Sequence, residues 1–422
     1  MSAAAASVLG WSFDLFDLFI ILYLAPTLSA LFFPSDVPTL SLAAVYASFA
    51  VTLLMRPIGS ALFGPYADRH GRRRAMIVAV FGVGIVTALM GTLPTIQQVG
   101  VMAPVLFLIP RLVQGVFVGG VVASSHTIGT ETVPARFRGL MSGMIAGGGS
   151  AVGSLCASTA FFVLSSLFPG PAFSVWGWRC MFFTGLLGSL VSFFVFRTLQ
   201  ESPFWQQLEQ KPGRRQRAPL RTLFSASFRR IFLINLLIVA GAGTEYYLTA
   251  GYMPTFLAVI NRVSGALAGQ MLILSSAIVV ILAPLVGFSS ERFGRKPVLM
   301  TTAIVNLIAI PLAYRQLSQL RGDEAAGQIL PLMLVVACLG SSAYAPLLVL
   351  LNERFPTAIR ASGTGLSWNI GFALGGMMPT FATGLAGQVA NIPTSIVIFL
   401  VVALLVHVLG LLVTPETRGH FV

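Results

Sequence analysis

The stretch "GPYADRHGRR" at residues 64–73 has a counterpart later in the chain, "GFSSERFGRK" at residues 287–296. A second pair consists of "ETVPARFRG" at residues 131–139 and "ERFPTAIRA" at residues 353–361. Each member of this second pair has an acid, a proline three residues later and an arginine seven residues later. Both motif pairs are separated by almost the same distance, about half of the 422-residue chain. This spacing predicts two parallel copies of one structural unit.

Composition predicts that these units lie in a membrane. Hydrophobic residues make up 56% of the chain and charged residues only 9%, with a mean hydropathy of +0.87. A soluble protein has about 25% charged residues. Apolar stretches of about 20 residues, long enough to cross the hydrocarbon as helices, recur throughout. The predicted spans are 8–33, 38–66, 75–94, 100–130, 138–168, 177–197, 231–258, 264–289, 297–317, 328–351, 360–388 and 393–414.

The net charge of +13 is explained by membrane topology and not by nucleic-acid binding. Most of the Lys and Arg residues fall in the connections that lie on one side if both termini are cytoplasmic, as the positive-inside rule requires. The first span has no basic n-region and no small-residue cleavage site, so we interpret it as a retained helix. The sequence predicts a multi-pass plasma-membrane protein, or an inner-membrane protein if the source is bacterial.

The polar, basic segment 198–230 divides the chain. It separates a six-helix bundle at 1–197 from a second at 231–422, so the predicted fold class is all-α with 12 transmembrane helices in two pseudo-symmetric halves. Two parallel six-helix repeats around a central cytoplasmic loop are typical of a secondary transporter that rocks around a central site.

The repeated Gly-x-x-x-acid-Arg-x-Gly-Arg-basic loop resembles the signature of the major facilitator superfamily. Further motifs resemble the metabolite:H+ symporter group, and the first helix also resembles the sialate and lactate symporters. These motifs are "FDLFDLF" in the first helix, "MRPIG" (55–59), "RLVQG" (111–115), "WGWR" (176–179) and "PETRG" (415–419). The resemblance implies the superfamily's fold and proton coupling. One position departs from it, because Val121 follows Gly119 and Gly120 where metabolite symporters usually have an acid.

Four ionisable residues inside the first six spans are the predicted proton-coupling site: Asp14, Asp17, Arg56 and Arg111. A charge at a helix centre costs at least about 2.5 kcal/mol, so such residues are functional by default. Asp14 and Asp17 share one helix face, and Arg56 lies at a similar depth. A static buried salt bridge that serves only packing is the alternative. The motif around Arg111 resembles the fourth-helix motif associated with proton coupling.

The second half contains most of the candidate substrate-binding residues. Its seventh span places Glu245 and two tyrosines beside glycines, a composition that permits a helix to loosen where it lines a cavity. An arginine can bind a substrate carboxylate, and aromatic rings with polar tips suit an organic ligand. An interfacial aromatic belt is the alternative for the tyrosines. The candidates are Arg111, Gln114, Asn235, Glu245, Tyr246, Tyr247, Gln270, Tyr344, Trp368 and Asn369.

Acids and arginines of the repeated motifs form a predicted gate at the cytoplasmic mouth. A carboxylate there can form charge-assisted bonds to arginines and helix-end amides. The alternative is a cluster that only sets topology, although that role requires no carboxylate. The gating candidates are Asp68, Arg69, Arg72, Glu131, Arg138, Glu291, Arg292, Arg295, Glu353 and Arg360.

Other protein classes have weaker support. The three cysteines are isolated, and neither metal-ligand spacing nor a Gly-x-x-x-x-Gly-Lys-Ser/Thr loop is present, so we expect no cofactor, no metal and an ion gradient as energy source. A membrane-embedded enzyme would need a reactive constellation that the sequence lacks. A channel fits poorly with a two-fold repeat and gated mouths.

The resulting hypothesis is proton-coupled uptake of a small organic anion, such as a mono-, di- or aromatic carboxylate, by alternating access. The alternative is a proton-driven carrier of a cationic or zwitterionic metabolite, working in import or in export, because the spans contain three acids against two arginines. The expected partners are the substrate, the proton and the lipid bilayer, with the chain acting as a monomer.

Overall fold

The computed structural model describes residues 3–70, 72–131, 133–197 and 223–419. Within these ranges the chain is helical without a β-strand, which confirms the all-α prediction. The first six helical segments are α1 (Ala3–Phe32), α2 (Pro38–His70), α3 (Arg72–Met90), α4 (Met102–Glu131), α5 (Arg138–Gly143, Met144–Gly148 and Gly149–Leu167) and α6 (Trp178–Arg197). The second six are α7 (Ala226–Tyr246, Tyr247–Gly251, Met253–Thr255 and Phe256–Ile260), α8 (Gly265–Phe293), α9 (Arg295–Leu317), α10 (Ala326–Ser342 and Leu347–Glu353), α11 (Thr357–Gly384) and α12 (Ile392–Leu412).

The helices have the length and composition of membrane spans. Over the described residues, 9 helices are long and apolar enough to cross a bilayer. Of the other three, α3 contains the shorter apolar stretch Ile77–Met90, while α6 and α11 have 20 and 28 residues. Each of these two is long enough to cross about 30 Å of hydrocarbon. The chain is therefore a multi-pass membrane protein, and the division at 198–230 stays a prediction because residues 198–222 lie outside the described ranges.

The packing of the helices follows the internal repeat. The second helix of the first half, α2, packs against α11, and the corresponding helix of the second half, α8, packs against α5. These two contacts are equivalent under a two-fold axis that relates the halves. Charged residues of the repeated motifs lie where α8 and α10 end, and we call this side of the bundle the basic end. The opposite end contains the connections α1–α2 and α7–α8.

At the basic end the two halves touch backbone to backbone. A Cβ atom added to Gly287 on α8 would overlap the carbonyl oxygen of Gly139, which begins the crossing on α5. One turn further along, a Cβ at Gly143 would lie 2.5 Å from the carbonyl oxygen of Ala283. Ser142 Oγ also donates to the carbonyl oxygen of Ala345 at 2.7 Å. Side chains larger than hydrogen are excluded from this crossing, so the basic end is closed.

The opposite end is closed by aromatic and hydroxyl groups. The rings of Tyr46 and Tyr252 are stacked with centroids 5.0 Å apart, and the Tyr46 hydroxyl donates to Thr255 Oγ1 at 2.8 Å. Nearer the helix ends, Thr39 Oγ1 donates to the carbonyl oxygen of Gly387 at 3.3 Å. The cleft between the halves is thus closed toward both ends.

Helix α7 departs from α-helical geometry where the sequence predicts a loosened helix. It becomes π-helical at Tyr247–Gly251 and again at Phe256–Ile260. Segments of this kind are frequent at functional sites, because the wider turn changes the direction of the side chains that follow. The first of them begins at one of the predicted substrate-binding tyrosines.

We expect Gly287→Val to shift the protein toward states that are open at the basic end, because the new side chain cannot fit against Gly139. The readout is alkylation of a single cysteine at position 142, where Ser142 is buried in the closed crossing. Labelling should accelerate about tenfold, the equivalent of about 1.4 kcal/mol in the conformational equilibrium. Gly327→Val is the matched control, since nothing lies within 4 Å of its Cβ position. Equal labelling in both variants would show that the glycine crossing does not control opening.

Candidate functional site

The predicted coupling residues lie together in the interior of the first half. Arg56 on α2 donates from Nη1 to Asp14 Oδ2 at 3.1 Å and from Nη2 to Asp14 Oδ1 at 3.2 Å. Both residues are buried, with 5% and 6% of their surface exposed. Two parallel bonds of this kind form the most favourable geometry for an arginine and a carboxylate. Arg56 and Asp14 are therefore a paired, neutral unit inside the membrane.

Asp17, one turn along α1 from Asp14, has different partners. Its two carboxylate oxygens accept hydrogen bonds from Thr87 Oγ1 and Gln114 Nε2. Gln114 in turn accepts a bond from Arg111 Nη1, so the arginine reaches Asp17 through an amide. The sequence predicts Arg56 as a partner of either aspartate, whereas in the structure Arg56 bonds both carboxylate oxygens of Asp14.

Thr87 is a residue that the sequence analysis missed. It lies on α3 within the apolar stretch "GVGIVTALM", where a single hydroxyl carries no pattern. Its Oγ1 lies 2.8 Å from Gln114 Nε2 and 2.9 Å from the carbonyl oxygen of Val83. The hydroxyl thus joins α1, α3 and α4 around Asp17.

A small cavity brings all four predicted coupling residues together. Its lining comes from α1, α2 and α4 and consists of Asp14, Asp17, Leu18, Phe49, Thr52, Leu53, Arg56, Arg111 and Val118. Phe49 also contacts the second half, because its ring lies 5.3 Å from that of Tyr247. The charged cavity therefore extends to the interface between the halves.

A cluster of buried aromatic rings fills the centre of that interface. Tyr246 is at its middle, with ring centroids 5.2 Å from Tyr344, 5.3 Å from Tyr247 and 6.3 Å from Phe19. Trp368 continues the cluster toward the basic end. We call this set the central aromatic cluster: Trp11, Phe19, Tyr246, Tyr247, Tyr344, Trp368 and Phe372.

A hydroxyl-rich cavity adjoins this cluster on the side of α5 and α8. Tyr344 donates from its hydroxyl to Ser150 Oγ at 3.0 Å, and Ser276 donates to Ser154 at 2.9 Å across the halves. The lining residues are Phe19, Gly147, Ser150, Ala151, Ser154, Tyr246, Ala250, Met253, Leu272, Ser275, Ser276, Val279, Ala337 and Ser341. None of these serines was among the sequence candidates, since scattered serines are common in packed membrane helices.

Some predicted substrate-binding residues lie elsewhere. Asn235 accepts a hydrogen bond from Arg354, near the basic end of the second half. Gln270 is exposed on α8. Glu245 is buried, but its carboxylate is bonded to Asn306 on α9 and not to a ring of the cluster. Asn369 is buried next to Trp368, and its side-chain oxygen has no hydrogen-bond partner.

Two of the gate candidates, Glu291 and Glu353, gather around a third, Arg295. Its guanidinium bonds Glu291 at 2.9 Å and Glu353 at 3.1 and 3.3 Å, all within the second half. A backbone bond joins this cluster to the first half, because the Gly139 N–H donates to the Glu291 carboxylate. The predicted gate thus contains an ion cluster on one half that captures an amide of the other.

The remaining gate candidates differ in their surroundings. Glu353 and Arg360 belong to one motif, but the structure pairs Glu353 with Arg295. Arg360 instead donates to the carbonyl oxygens of Asn352 and Phe355 at 3.0 and 3.2 Å. Arg138 is half-buried and Arg292 is exposed. The side chains of Asp68, Arg69, Arg72 and Glu131 lie outside the described residues.

The C-terminal motif "PETRG" (415–419) contacts the residues of the predicted gate. Gly294, at φ +98°, makes the turn between α8 and α9, and the first N–H groups of α9 donate to Glu416 at 2.9 and 3.0 Å. Burial raises the pKa of the Glu416 carboxyl, but four backbone N–H groups outweigh it and hold the pKa below its usual value. Thr417 also donates to Glu353 at 2.7 Å. The segment after α12 therefore holds α9 and the ion cluster in place.

Metal chemistry has no support in the part of the chain that the structure describes. No group of three or more His, Cys, Asp or Glu residues is arranged to bind an ion there.

Two six-helix repeats around a buried, polar and aromatic centre are the architecture of a secondary membrane transporter. The family model of the Major Facilitator Superfamily matches residues 3–377 and 236–421. The chain belongs to this superfamily of transporters, whose members are not enzymes.

The chain is also similar to individual transporters. It is 28% identical over 418 residues to the glycine betaine/proline/ectoine/pipecolic acid transporter of Dickeya dadantii, covering 97% of this chain and 82% of that one. It is 28% identical over 373 residues to the citrate-proton symporter of Klebsiella pneumoniae, covering 88% and 82%. The crystal structure of a D-xylose-proton symporter superposes with a TM-score of 0.75 at 20% identity, covering 99% and 98%. The chain is thus a secondary transporter with the major facilitator fold.

We expect Glu291→Gln to slow turnover about fivefold to tenfold while the substrate KM changes by less than about twofold. A hydrogen bond to a charged group is worth about 1 kcal/mol more than a neutral one, and the Gly139 N–H and Arg295 would both lose the charged partner. Initial uptake rates in proteoliposomes give both parameters. Glu324→Gln, at an exposed glutamate, is the control. Weakened substrate binding at an unchanged maximal rate would contradict the gate assignment.

Proposed function

We propose that the protein is a proton-coupled symporter of a small zwitterion that carries a substituted ammonium group. The observation that supports this proposal best is the central aromatic cluster, which both halves build and which lies beside a cavity with two arginines. In the proposed cycle, the halves at 1–197 and 231–422 rock around this centre and expose it to each side in turn.

The aromatic cluster suits the ammonium end of such a substrate. A ligand cation over the face of a Trp or Tyr ring gains about 0.5–2 kcal/mol, and quaternary ammonium groups are recognised in this way. Trp368 is stacked on Phe372 at 4.4 Å, and Tyr246 and Tyr344 meet edge to face. The relative from Dickeya dadantii is named for glycine betaine and proline, which combine an ammonium group with a carboxylate.

The two buried arginines suit the carboxylate end. Arg56 and Arg111 each have a buried Nε–H group without a hydrogen-bond partner. A carboxylate that reached Arg56 from the cluster would pass Phe49, which contacts both the charged cavity and Tyr247. A zwitterion would then bridge the two halves, with its ammonium group on the second and its carboxylate on the first.

Asp17 is the proposed proton carrier. Its carboxylate is held by neutral donors, Thr87 and Gln114, whereas Asp14 is already paired with an arginine. A proton on Asp17 would weaken its bonds to these donors and release Gln114 together with Arg111. Arg111 could then bind the substrate carboxylate, so proton binding would prepare the substrate site.

Symport of an organic anion without an ammonium group is the second candidate. The two unpartnered Nε–H groups favour it, because a di- or tricarboxylate could engage both arginines. The relative from Klebsiella pneumoniae is named a citrate-proton symporter. The aromatic cluster would then serve packing between the halves and not recognition.

We further propose that both termini lie in the cytoplasm, so that the basic end faces inward, and that the chain acts as a monomer. The concentration of Lys and Arg in the connections on one side supports this orientation. In a bacterial cell this corresponds to the inner membrane.

We expect proteoliposomes with an inward proton gradient, acidic outside, to accumulate glycine betaine or proline in preference to citrate. Trp368→Leu should raise the KM for the zwitterion about tenfold, consistent with a cation–π contribution of up to about 2 kcal/mol. Phe32→Leu is the control, since Phe32 belongs to a buried aromatic group outside the central cluster. Accumulation of citrate alone, unaffected by Trp368→Leu, would favour the organic anion.

We expect Asp17→Asn to abolish uphill uptake driven by a pH gradient while exchange of internal for external substrate continues. Asparagine resembles the protonated carboxyl, so the site can bind substrate but cannot take up or release a proton. One coupled proton moving through 100 mV supplies about 2.3 kcal/mol, so the loss of accumulation should be large. If the variant still concentrates substrate after a pH jump, Asp17 is not the coupling residue.

A further inference from the structure

A buried carboxyl–amide pair between α7 and α9 has no role in the proposed cycle. Glu245 and Asn306 are each only 1% exposed, and Asn306 Nδ2 donates to Glu245 Oε1. Neither belongs to the central aromatic cluster or to the charged cavity around Asp17. Glu245 lies two residues before the π-helical segment Tyr247–Gly251 and directly before Tyr246 and Tyr247, the two tyrosines of the cluster on α7.

The hydrogen bonds of this pair can be counted completely. Asn306 has two N–H groups, and its nitrogen bonds Glu245 Oε1 and the carbonyl oxygen of Leu339 at 3.2 Å. The carbonyl oxygen of Leu339 can only accept a hydrogen bond, so the Asn306 side-chain atom that faces it must be the amide nitrogen. Two acceptors then remain, Glu245 Oε2 and Asn306 Oδ1, and both are buried without a partner.

Both unpartnered oxygen atoms lack a hydrogen-bond donor. An ionised glutamate cannot provide one, because it only accepts hydrogen bonds. A proton on Glu245 Oε2 would supply the donor, would remove the charge from the membrane interior and would give Asn306 Oδ1 a partner within the same pair. A carboxylic acid and a primary amide then satisfy each other through two opposed hydrogen bonds.

Among the described residues, no arginine, lysine or histidine bonds the Glu245 carboxylate, and Asn306 is the only side chain that does. Thr249 Oγ1 donates to the backbone carbonyl oxygen of Glu245 at 2.6 Å and leaves the carboxylate unaffected. The titratable residues that face this part of α7 include Tyr246 and Tyr247 on α7 itself, Tyr314 on α9, Tyr344 on α10 and His407 on α12. His407 Nδ1 is engaged by the carbonyl oxygen of Ile238, two turns away along α7.

We propose that Glu245 is a proton-binding site of the second half, uncharged in the closed state and paired as a carboxylic acid with the amide of Asn306. The pair connects α7 to α9 and, through Leu339, to α10. It fixes α7 at the turn from which Tyr246 and Tyr247 extend into the cluster. The site is separate from Asp17, and it does not depend on which substrate is carried.

Infrared spectroscopy of the purified protein at neutral pH tests the protonation directly. A protonated carboxyl has a C=O stretching band that an ionised carboxylate lacks. We expect the wild type to show such a band and Glu245→Gln to lose it, while Glu324→Gln, at an exposed glutamate, leaves it unchanged. Asn306→Leu should shift the band to higher frequency, because the acid loses its amide partner. A wild-type spectrum that Glu245→Gln does not alter would overturn the proposal.

Thermal stability and transport provide an independent test. Glutamine has the shape of the protonated acid and can make the same two bonds to Asn306, so Glu245→Gln should melt like the wild type and bind substrate within about twofold. Glu245→Leu, which leaves Asn306 without a partner, should melt at a lower temperature. A marked rise in melting temperature for Glu245→Gln would show that the wild type holds a buried charge. A tenfold loss of substrate affinity in Glu245→Gln would show that Glu245 contacts substrate; either result contradicts the proposal.

Discussion

A charge inside hydrocarbon must find a partner, and this constraint organises the interior of the protein. A charged side chain at a helix centre raises the free energy of the folded protein by at least about 2.5 kcal/mol. A buried polar group without a hydrogen bond is also destabilising. The chain meets this cost in three ways: Asp14 has an arginine, Asp17 has two neutral donors, and Glu245 has an amide. These three environments differ in how much they favour the ionised form. In the roles proposed above, this difference separates the ion pair of Asp14 from the proton carrier Asp17 and from the acid–amide pair of Glu245.

The sequence predicts the elements of this arrangement better than their pairing. The charged coupling residues stand out because each interrupts an apolar span, so Asp14 and Arg111 can be found without a structure. Thr87 and Asn306 cannot, since uncharged polar residues are common in membrane helices and neither belongs to a motif. The partner of Arg56 depends on the rotation of α1 and α2 about their axes. Composition and spacing do not contain that rotation.

The same holds for the gate. The repeated motifs predict that acids and arginines meet at one end of the bundle, and the structure places Arg295 between Glu291 and Glu353. The motifs do not show that the backbone N–H of Gly139 bonds Glu291 across the halves. Every residue except proline carries such a donor, and only the fold decides which acceptor it meets. Among the described residues, the ion cluster around Arg295 lies within one half, so it can remain intact while the bonds of Gly139 and Ser142 across the halves break.

Proton and substrate sites in this fold need no long path of communication. The cavity that contains Asp17 and Arg56 reaches Phe49, and Phe49 touches Tyr247 in the central aromatic cluster. In the proposed cycle, a carboxylate bound near the arginines and a proton on Asp17 act on the same electrostatic field. Linkage then requires that the factor by which protonation strengthens substrate binding equals the factor by which substrate strengthens proton binding. In the proposed cycle, contiguity of the two sites provides this linkage directly, and the rocking of the halves changes which side supplies and receives both ligands.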